Sequence, residues 1–363
     1  MLNISAGKAS VLALLSLSSL LNTTSAWPSY NSHHSKRQSA GDNLPSGGVE
    51  DEPNFNEEYD FIIAGGGTAG LVLANRLTES GKSSVLVLEA GPNPEQVLAY
   101  ESPGGNQFIK GSVIDWGIDT QPQKHLNNRT LQYLRGRTLG GSSTTNGLYY
   151  ARGSASVYDR WAELGNPGWG WHDTYELFRK STKMNPPNST EELAAFSQDF
   201  KTFDASAYGG GPLELGFQGY VPPSTDGFIV ACSESMDIPI VQDLNTGSGV
   251  GIKHGTATLN NRLRRMSSYD SFYQQARDRT NLKVLHDSSV TGIVMSSPSG
   301  NSTGQPRAIG VSYIEQRTGF VSQARARNEV IVSMGAFHSP QLLMVSVSPQ
   351  NQNQHYNGFP DTR

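Results

Sequence analysis

The 363-residue chain has a single cysteine, Cys232, so it can form no internal disulfide and no cysteine-based zinc site. As a small, softly apolar side chain, Cys232 is expected to be a packing residue rather than a nucleophile. The formal net charge is only -4, which gives no electrostatic footprint for nucleic acid or an anionic membrane. No uninterrupted apolar run is long enough to cross a bilayer. Apolar residues make up 36%, enough for a sizeable core, and 39 glycines and 19 prolines imply many turns.

The first 26 residues carry the parts of a secretory signal in order: Lys8, an apolar stretch over Val11 to Leu21, and small residues Thr24-Ser25-Ala26 before Trp27. Residues 27–58 are polar and read as a disordered lead-in, with a basic pair at Lys36-Arg37. Acceptor triplets for glycosylation begin at Asn128, Asn188 and Asn301 and would be usable in a secreted chain.

The most informative stretch is Tyr59 to Gly91, YDFIIAGGGTAGLVLANRLTESGKSSVLVLEAG. An apolar strand leads into Gly65, Gly67 and Gly70 at G-x-G-x-x-G spacing. A helical run, Leu71 to Ser80, follows, then a second apolar strand, Val85 to Leu88, and Glu89. Each part has a physical reason. Gly65 permits a tight turn, Gly67 lets a pyrophosphate approach the backbone, and Gly70 lets helix and strand pack closely. The helix N-terminus attracts the phosphates, and Glu89 can accept hydrogen bonds from ribose hydroxyls. A dinucleotide site in an α/β fold is the expectation. A second glycine loop, Gly140-Gly141-Ser142-Ser143, followed by Asn146, offers backbone N–H groups and small polar side chains to a flat ring or to phosphates.

The run GRTLGGSSTTNGLYYARGSASVYDRW resembles the first signature of the glucose-methanol-choline (GMC) oxidoreductases, which use FAD. YDFIIAGGGTAGLVLANRL and VLVLEAG resemble that family's N-terminal motif, and Gly335-Ala336-Phe337-His338-Ser339-Pro340-Gln341-Leu342-Leu343 the start of its second signature. Thr145 stands where an aliphatic residue is usual. The resemblance implies an α/β fold (α+β overall): a Rossmann-like FAD-binding domain in two parts, residues 59–165 and 251–346. Between them lies a partial, mainly antiparallel-sheet substrate domain, 166–250. It places Gly65, Gly67, Thr68, Ala69 and Gly70 at the pyrophosphate, and Glu89 and Ala90 at the adenosine ribose. Ser142 and Ser143 fall in the loop that wraps the cofactor. Asn146, Gly147, Leu148 and Tyr149 fall at the flavin ring and ribityl chain, and the Val290 backbone at adenine.

The implied activity is oxidation of an alcohol, with a histidine near the C-terminus as base and hydride passing to the flavin. None of the eight histidines stands in the matching motif. His286-Asp287 suggests an acid–base pair, but on a strand neighbouring side chains point to opposite faces. Trp169 and Trp171 are expected in core packing. After Ser346 the motif breaks off, and residues 347–363 are polar and read as a disordered tail. A retained intron would explain them, and the genomic sequence downstream tests that. The chain is therefore expected to bind FAD with little turnover, taking a small alcohol only in a longer form. Two other readings remain open: a non-redox FAD-binding protein of lyase, cyclase or inert type, and an NAD-dependent dehydrogenase. Neither a metal nor a nucleic-acid partner is expected, and oligomeric state is open.

Overall fold

The computed structural model describes residues 55–187, 201–296 and 306–347. The signal-like segment, the Lys36-Arg37 pair, the Asn188 and Asn301 triplets and the tail from 348 lie outside them.

A six-stranded sheet forms the frame. Its strands are β1 (Glu57–Ala64), β2 (Val85–Leu88), β3 (Leu282–Leu285), β4 (Ser288–Met295), β5 (Ala308–Glu315) and β6 (Val321–Val332), in spatial order β4-β5-β6-β1-β2-β3. β6, β1, β2 and β3 run parallel, while β4, β5 and the first half of β6 form an antiparallel meander. β1 is central, and Phe61 to Ala64 register with Val85 to Leu88 on one side and Glu329 to Val332 on the other.

Both faces of this centre are covered, which is why the strands read as unbroken apolar runs. Ile62, Ala64, Leu86 and Leu88 join Val290, Val311, Tyr313, Ala324 and Leu342 in one cluster. Ile63, Val85 and Val87 join Leu71, Ala74, Leu139 and Tyr269 in another. The alternation follows from the two-residue period of a strand. Helix α1 (Thr68–Thr78) packs Leu71 and Ala74 on the second face. Its Asn75 side chain donates to the Phe272 carbonyl at 2.7 Å, tying it to the Tyr269–Tyr273 turn.

Helices α2 (Ala155–Glu163) and α3 (Trp171–Ser181) lead away from the sheet, and α4 (Pro223–Met236) follows. Thr182–Met184 pairs parallel with Leu213–Leu215, and Gly216 continues antiparallel to Ala257. Helix α5 (Gly335–Val347) closes the described chain. Its Ser346 hydroxyl accepts from Ile293 N at 3.0 Å and donates to the Leu342 carbonyl at 2.7 Å, docking the helix on β4. No helix among the described residues is long and apolar enough to cross a membrane.

Several boundaries differ from the sequence reading. β1 starts at Glu57, inside the supposed lead-in, because Asn56 N bonds Gln323 O at 3.0 Å and Lys283 pairs with Glu57. Val347, assigned to the tail, still belongs to α5. Between Arg262 and Asp278 the helical elements are Tyr269–Tyr273, a wide π-turn, and Gln274–Ala276. Arg265 and Ser267 are drawn into other bonds instead. Trp169 is 56% exposed with its ring against the Trp161 ring edge, whereas Trp171 packs among Tyr158, Tyr175 and Phe178.

Candidate functional site: two interlocked glycine loops

The turn after β1 is built by its glycines. Gly65 has φ 96°, and its N–H bonds the Leu88 carbonyl at 2.8 Å. A β-carbon there would lie 2.7 Å from the Ser333 carbonyl oxygen. One at Gly70 would overlap the Gly65 carbonyl. Gly67 is different: φ is -79° and the nearest atoms to a built β-carbon are 3.8 Å away. Nothing among the described residues demands glycine at 67, so an external group's close approach is the remaining physical reason for it. Gly67 caps α1 without a side-chain bond, and Thr68 and Ala69 are exposed. The first-turn N–H groups have no intrahelical acceptor and face outward with the positive end of the helix.

The second loop locks onto the first, backbone to backbone. Gly140 N donates to the Gly66 carbonyl at 2.8 Å, and Thr68 Oγ1 donates to the Gly140 carbonyl at 3.3 Å. Gly141, with φ 52°, would place a β-carbon 2.8 Å from the Gly67 Cα. The two serines divide their work. Ser143 Oγ donates to the Gly140 carbonyl at 2.6 Å and accepts from Ser268 N at 3.0 Å, so it holds the loop shut. Ser142 is exposed, accepting only a long 3.3 Å bond from Gly136 N, and can meet a ligand. Thr145, the departure from the family pattern, is buried.

Asn146 and Gly147 are exposed beyond this loop, and Leu148 is buried in the left-handed region at φ 70°. Such strain persists only where surroundings hold it. Here Asn146 Oδ1 accepts from Leu148 N at 3.1 Å and Thr258 N donates to the Leu148 carbonyl at 2.8 Å. Tyr149 is 65% exposed and pairs with Ala257.

Sequence reasoning missed the residue that holds this corner. Arg265 is 1% exposed. Its Nε donates to the Tyr100 carbonyl at 2.8 Å. Nη1 donates to the Asn146 carbonyl at 2.9 Å, to Asn146 Oδ1 at 2.8 Å and to the Ser143 carbonyl at 3.3 Å. Burial lowers its pKa to about 10, which leaves it charged at neutral pH. Adjacent basic residues before a Ser-Ser pair give no hint that one is interior. Arg265→Ala is expected to cost about 3 kcal/mol of stability, since it leaves several buried carbonyls unpaired. Urea unfolding of the apo chain checks this.

Glu89 ends β2 with 6% exposure. One carboxyl oxygen accepts from Gly66 N and the other from Gly91 N, both at 2.9 Å. Burial raises its pKa to about 7, against the lowering effect of these N–H bonds and of the nearby Arg137 charge. Ala90 is half-buried beside it. Val290 buries its side chain in the sheet core opposite Tyr313, so only its backbone could meet a ligand. The structure thus gathers Gly65 to Gly70 with Ser142 and Ser143 at one turn. Glu89 joins them through Gly66, and Asn146 to Tyr149 lie at the far end of the second loop.

The five described histidines lie elsewhere in the chain. His172 is nearly fully exposed, and His254 lies 2.7 Å from Asp226. The His338 ring packs on Trp116 at 4.2 Å, and burial lowers its pKa. His125 follows Lys124 in a short surface turn. His286 does bond Asp287, at 2.9 Å. The strand argument against that pair fails because β3 ends at Leu285 and Asp287 turns with φ 54°. Asp287 is also held by Arg317 at 2.7 Å, which makes it part of a surface ion-pair cluster. Among the described residues no cluster of potential metal ligands occurs.

A strand–turn–helix with free first-turn N–H groups, a buried glutamate at the end of the second strand and a second interlocked glycine loop are the parts of a dinucleotide-binding α/β turn. Residues 59–355 match the GMC oxidoreductase family model, and the chain belongs to that family. The match continues past Ser346, where the motif comparison stops. The chain is 35% identical over 318 residues to dehydrogenase pkfF of Emericella nidulans, covering 84% of this chain and 50% of that relative. It is 35% identical to pyranose dehydrogenase of Agaricus campestris, covering 80% and 47%. An FAD-dependent oxidoreductase from Chaetomium thermophilum superposes with a TM-score of 0.69 at 34% identity, covering 79% and 47%. The chain spans about half the length of these relatives. FAD is the cofactor, and the residues fit it: Gly67 has room where a β-carbon would stand, and the donors beside it suit phosphate.

Proposed function

We propose that the chain is the FAD-holding part of an oxidoreductase that acts on CH–OH groups of small alcohols. Residues 59–165 and 251–346 would hold the cofactor, with 166–250 contributing part of the substrate side. Gly65, Gly67, Thr68, Ala69 and Gly70 take the pyrophosphate, with Glu89 and Ala90 at the ribose and the Val290 backbone at adenine. Ser142 and Ser143 wrap the cofactor, and Asn146, Gly147, Leu148 and Tyr149 approach the flavin. When bound, FAD supplies a two-electron acceptor for the alcohol. The observation that carries this reading is the interlock of the two glycine loops beside an outward-facing helix N-terminus.

This chain's own part is to bind and orient the cofactor. A base for the alcohol hydroxyl must lie within hydrogen-bond reach of that hydroxyl. The described histidines are placed instead against Asp173, Asp226, Asp287 and Trp116, or in the surface turn at His125. Residues 1–363 are therefore expected to hold FAD but not to reduce it. Anaerobic mixing of the flavin-loaded chain with a panel of primary alcohols and sugars checks this by absorbance. A flavin band that stays oxidised is the expected result, and rapid bleaching would overturn it. Secretion through residues 1–26 belongs to the same proposal, and N-terminal sequencing of the exported chain at Trp27 tests it.

A further inference from the structure

The adenosine end of the cradle carries a side-chain link that none of these roles uses. The Arg137 side chain lies over the Trp116 ring, 5.5 Å from its centroid, and Nη2 donates to Gln316 Oε1. The two residues are 179 positions apart. Gln316 follows β5 directly. Its backbone N donates to the Asp287 carbonyl at 2.8 Å and its Nε2 to Ser289 Oγ at 2.5 Å. Asp287 N donates to the Gly91 carbonyl at 3.0 Å, and Gly91 N to Glu89 Oε1 at 2.9 Å. Gly91 packs so tightly on the Arg137 backbone that no side chain fits between them. Arg137, Gln316, Asp287 and Gly91 thus close a ring beside the Glu89 carboxyl, and the Arg137 charge acts on that carboxyl.

The other links of this ring are backbone contacts fixed by the fold. Within the ring only the Arg137–Gln316 contact joins two side chains, and it is solvent-accessible; the Gln316 Nε2 bond to the Ser289 hydroxyl lies outside the ring. It can open and close by rotamer changes alone, on a timescale far shorter than unfolding. Ser289, which Gln316 also holds, is the neighbour of Val290, so the contact joins both sides of the adenosine end.

We propose that the Arg137–Gln316 contact is a strap across the adenosine end of the FAD site that slows the cofactor's departure. This rests on the FAD cradle described above. The test is the rate of FAD release from the full chain into an excess of an apoflavoprotein trap, followed by flavin fluorescence. Gln316→Ala is expected to release FAD roughly tenfold faster, since a charge-assisted bond is lost. Gln316→Glu, which converts the contact to an ion pair, is expected to release it more slowly than the parent chain. That gain should shrink as salt screens the pair. The apo melting temperature should match the parent in both variants. Equal release rates in all three chains overturn the strap alone. Faster release in both variants with a lowered apo melting temperature assigns Gln316 a merely structural role and also overturns it. A parent chain that retains no flavin contradicts the cradle and the strap together.

Discussion

Gly67→Val is expected to strip the chain of FAD while leaving its fold intact, whereas Gly70→Ala is expected to break the fold itself. The two glycines stand three residues apart in one motif, but their surroundings separate them. At Gly67 the backbone has φ -79° and ψ -160°, which a β-branched residue adopts readily, and the nearest atoms to a β-carbon are 3.8 Å away. The apo chain should lose at most about 1 kcal/mol, through a poorer helix cap. The valine methyls then occupy the approach to the first-turn N–H groups, and FAD affinity should fall by at least about 100-fold, equivalent to about 2.7 kcal/mol. At Gly70 a β-carbon meets the Gly65 carbonyl, an atom that cannot move without reshaping the turn. The expected loss is about 3 kcal/mol or more. Urea unfolding of the two apo variants, alongside FAD titration of each, separates a binding glycine from a folding one.

FAD affinity is expected to rise with pH, by about tenfold per unit up to pH ~7, and then level off. The cause is Glu89, whose carboxyl burial pushes to about 7, so below neutrality the site carries a proton. If Glu89 meets the ribose as proposed, the hydroxyls would donate best to the ionised form, and binding would release that proton. The apo fold should show the opposite slope. A carboxyl whose folded pKa is raised above the unfolded value near 4.5 favours the folded state at low pH. That advantage is fully present below the unfolded value and is lost as pH climbs through about 7. The loss amounts to about 3 kcal/mol over that window. Asp270, also raised by burial, tilts apo stability the same way, so the comparison should be made against Glu89→Gln. That variant should flatten the FAD pH profile and remove most of the stability slope. An unchanged profile in Glu89→Gln would place the titrating group elsewhere.

Much of this site could be read from residue order because its parts are local. Gly65, Gly67, Gly70 and Glu89 act within one strand–helix–strand unit, and both-faces-buried strands leave a continuous apolar run such as Val85 to Leu88. What could not be read depends on contacts between distant segments. Arg265 looks like any surface cation until its donors are seen to meet carbonyls of Tyr100 and Asn146. Ser142 and Ser143 look equivalent until Ser268 claims one of them. Only the end of β6, Val330 to Val332, is an apolar run. Its first half, Val321 to Asn328, lies between β5 and β1 and alternates because one face is buried at Ala324 and Ala326 while Arg325 and Arg327 on the other face are exposed. The His286–Asp287 pair was dismissed on a correct rule applied to the wrong element, since the strand ends at Leu285 and Asp287 is itself the left-handed residue of the turn that follows.

The most direct test of the FAD cradle is a competition on the purified 363-residue chain. The chain is loaded with equimolar FAD and NAD, desalted, and the retained nucleotide identified by absorbance and mass. Both ligands share the adenosine half that Glu89 and the first glycine turn would hold, but on the proposed placement only the flavin half of FAD would reach the second loop at Ser142 and Asn146. The expected result is one FAD per chain with NAD washed out, and neither retained by Gly67→Val. A chain that keeps NAD, keeps no nucleotide, or keeps FAD equally well as Gly67→Val contradicts the cradle.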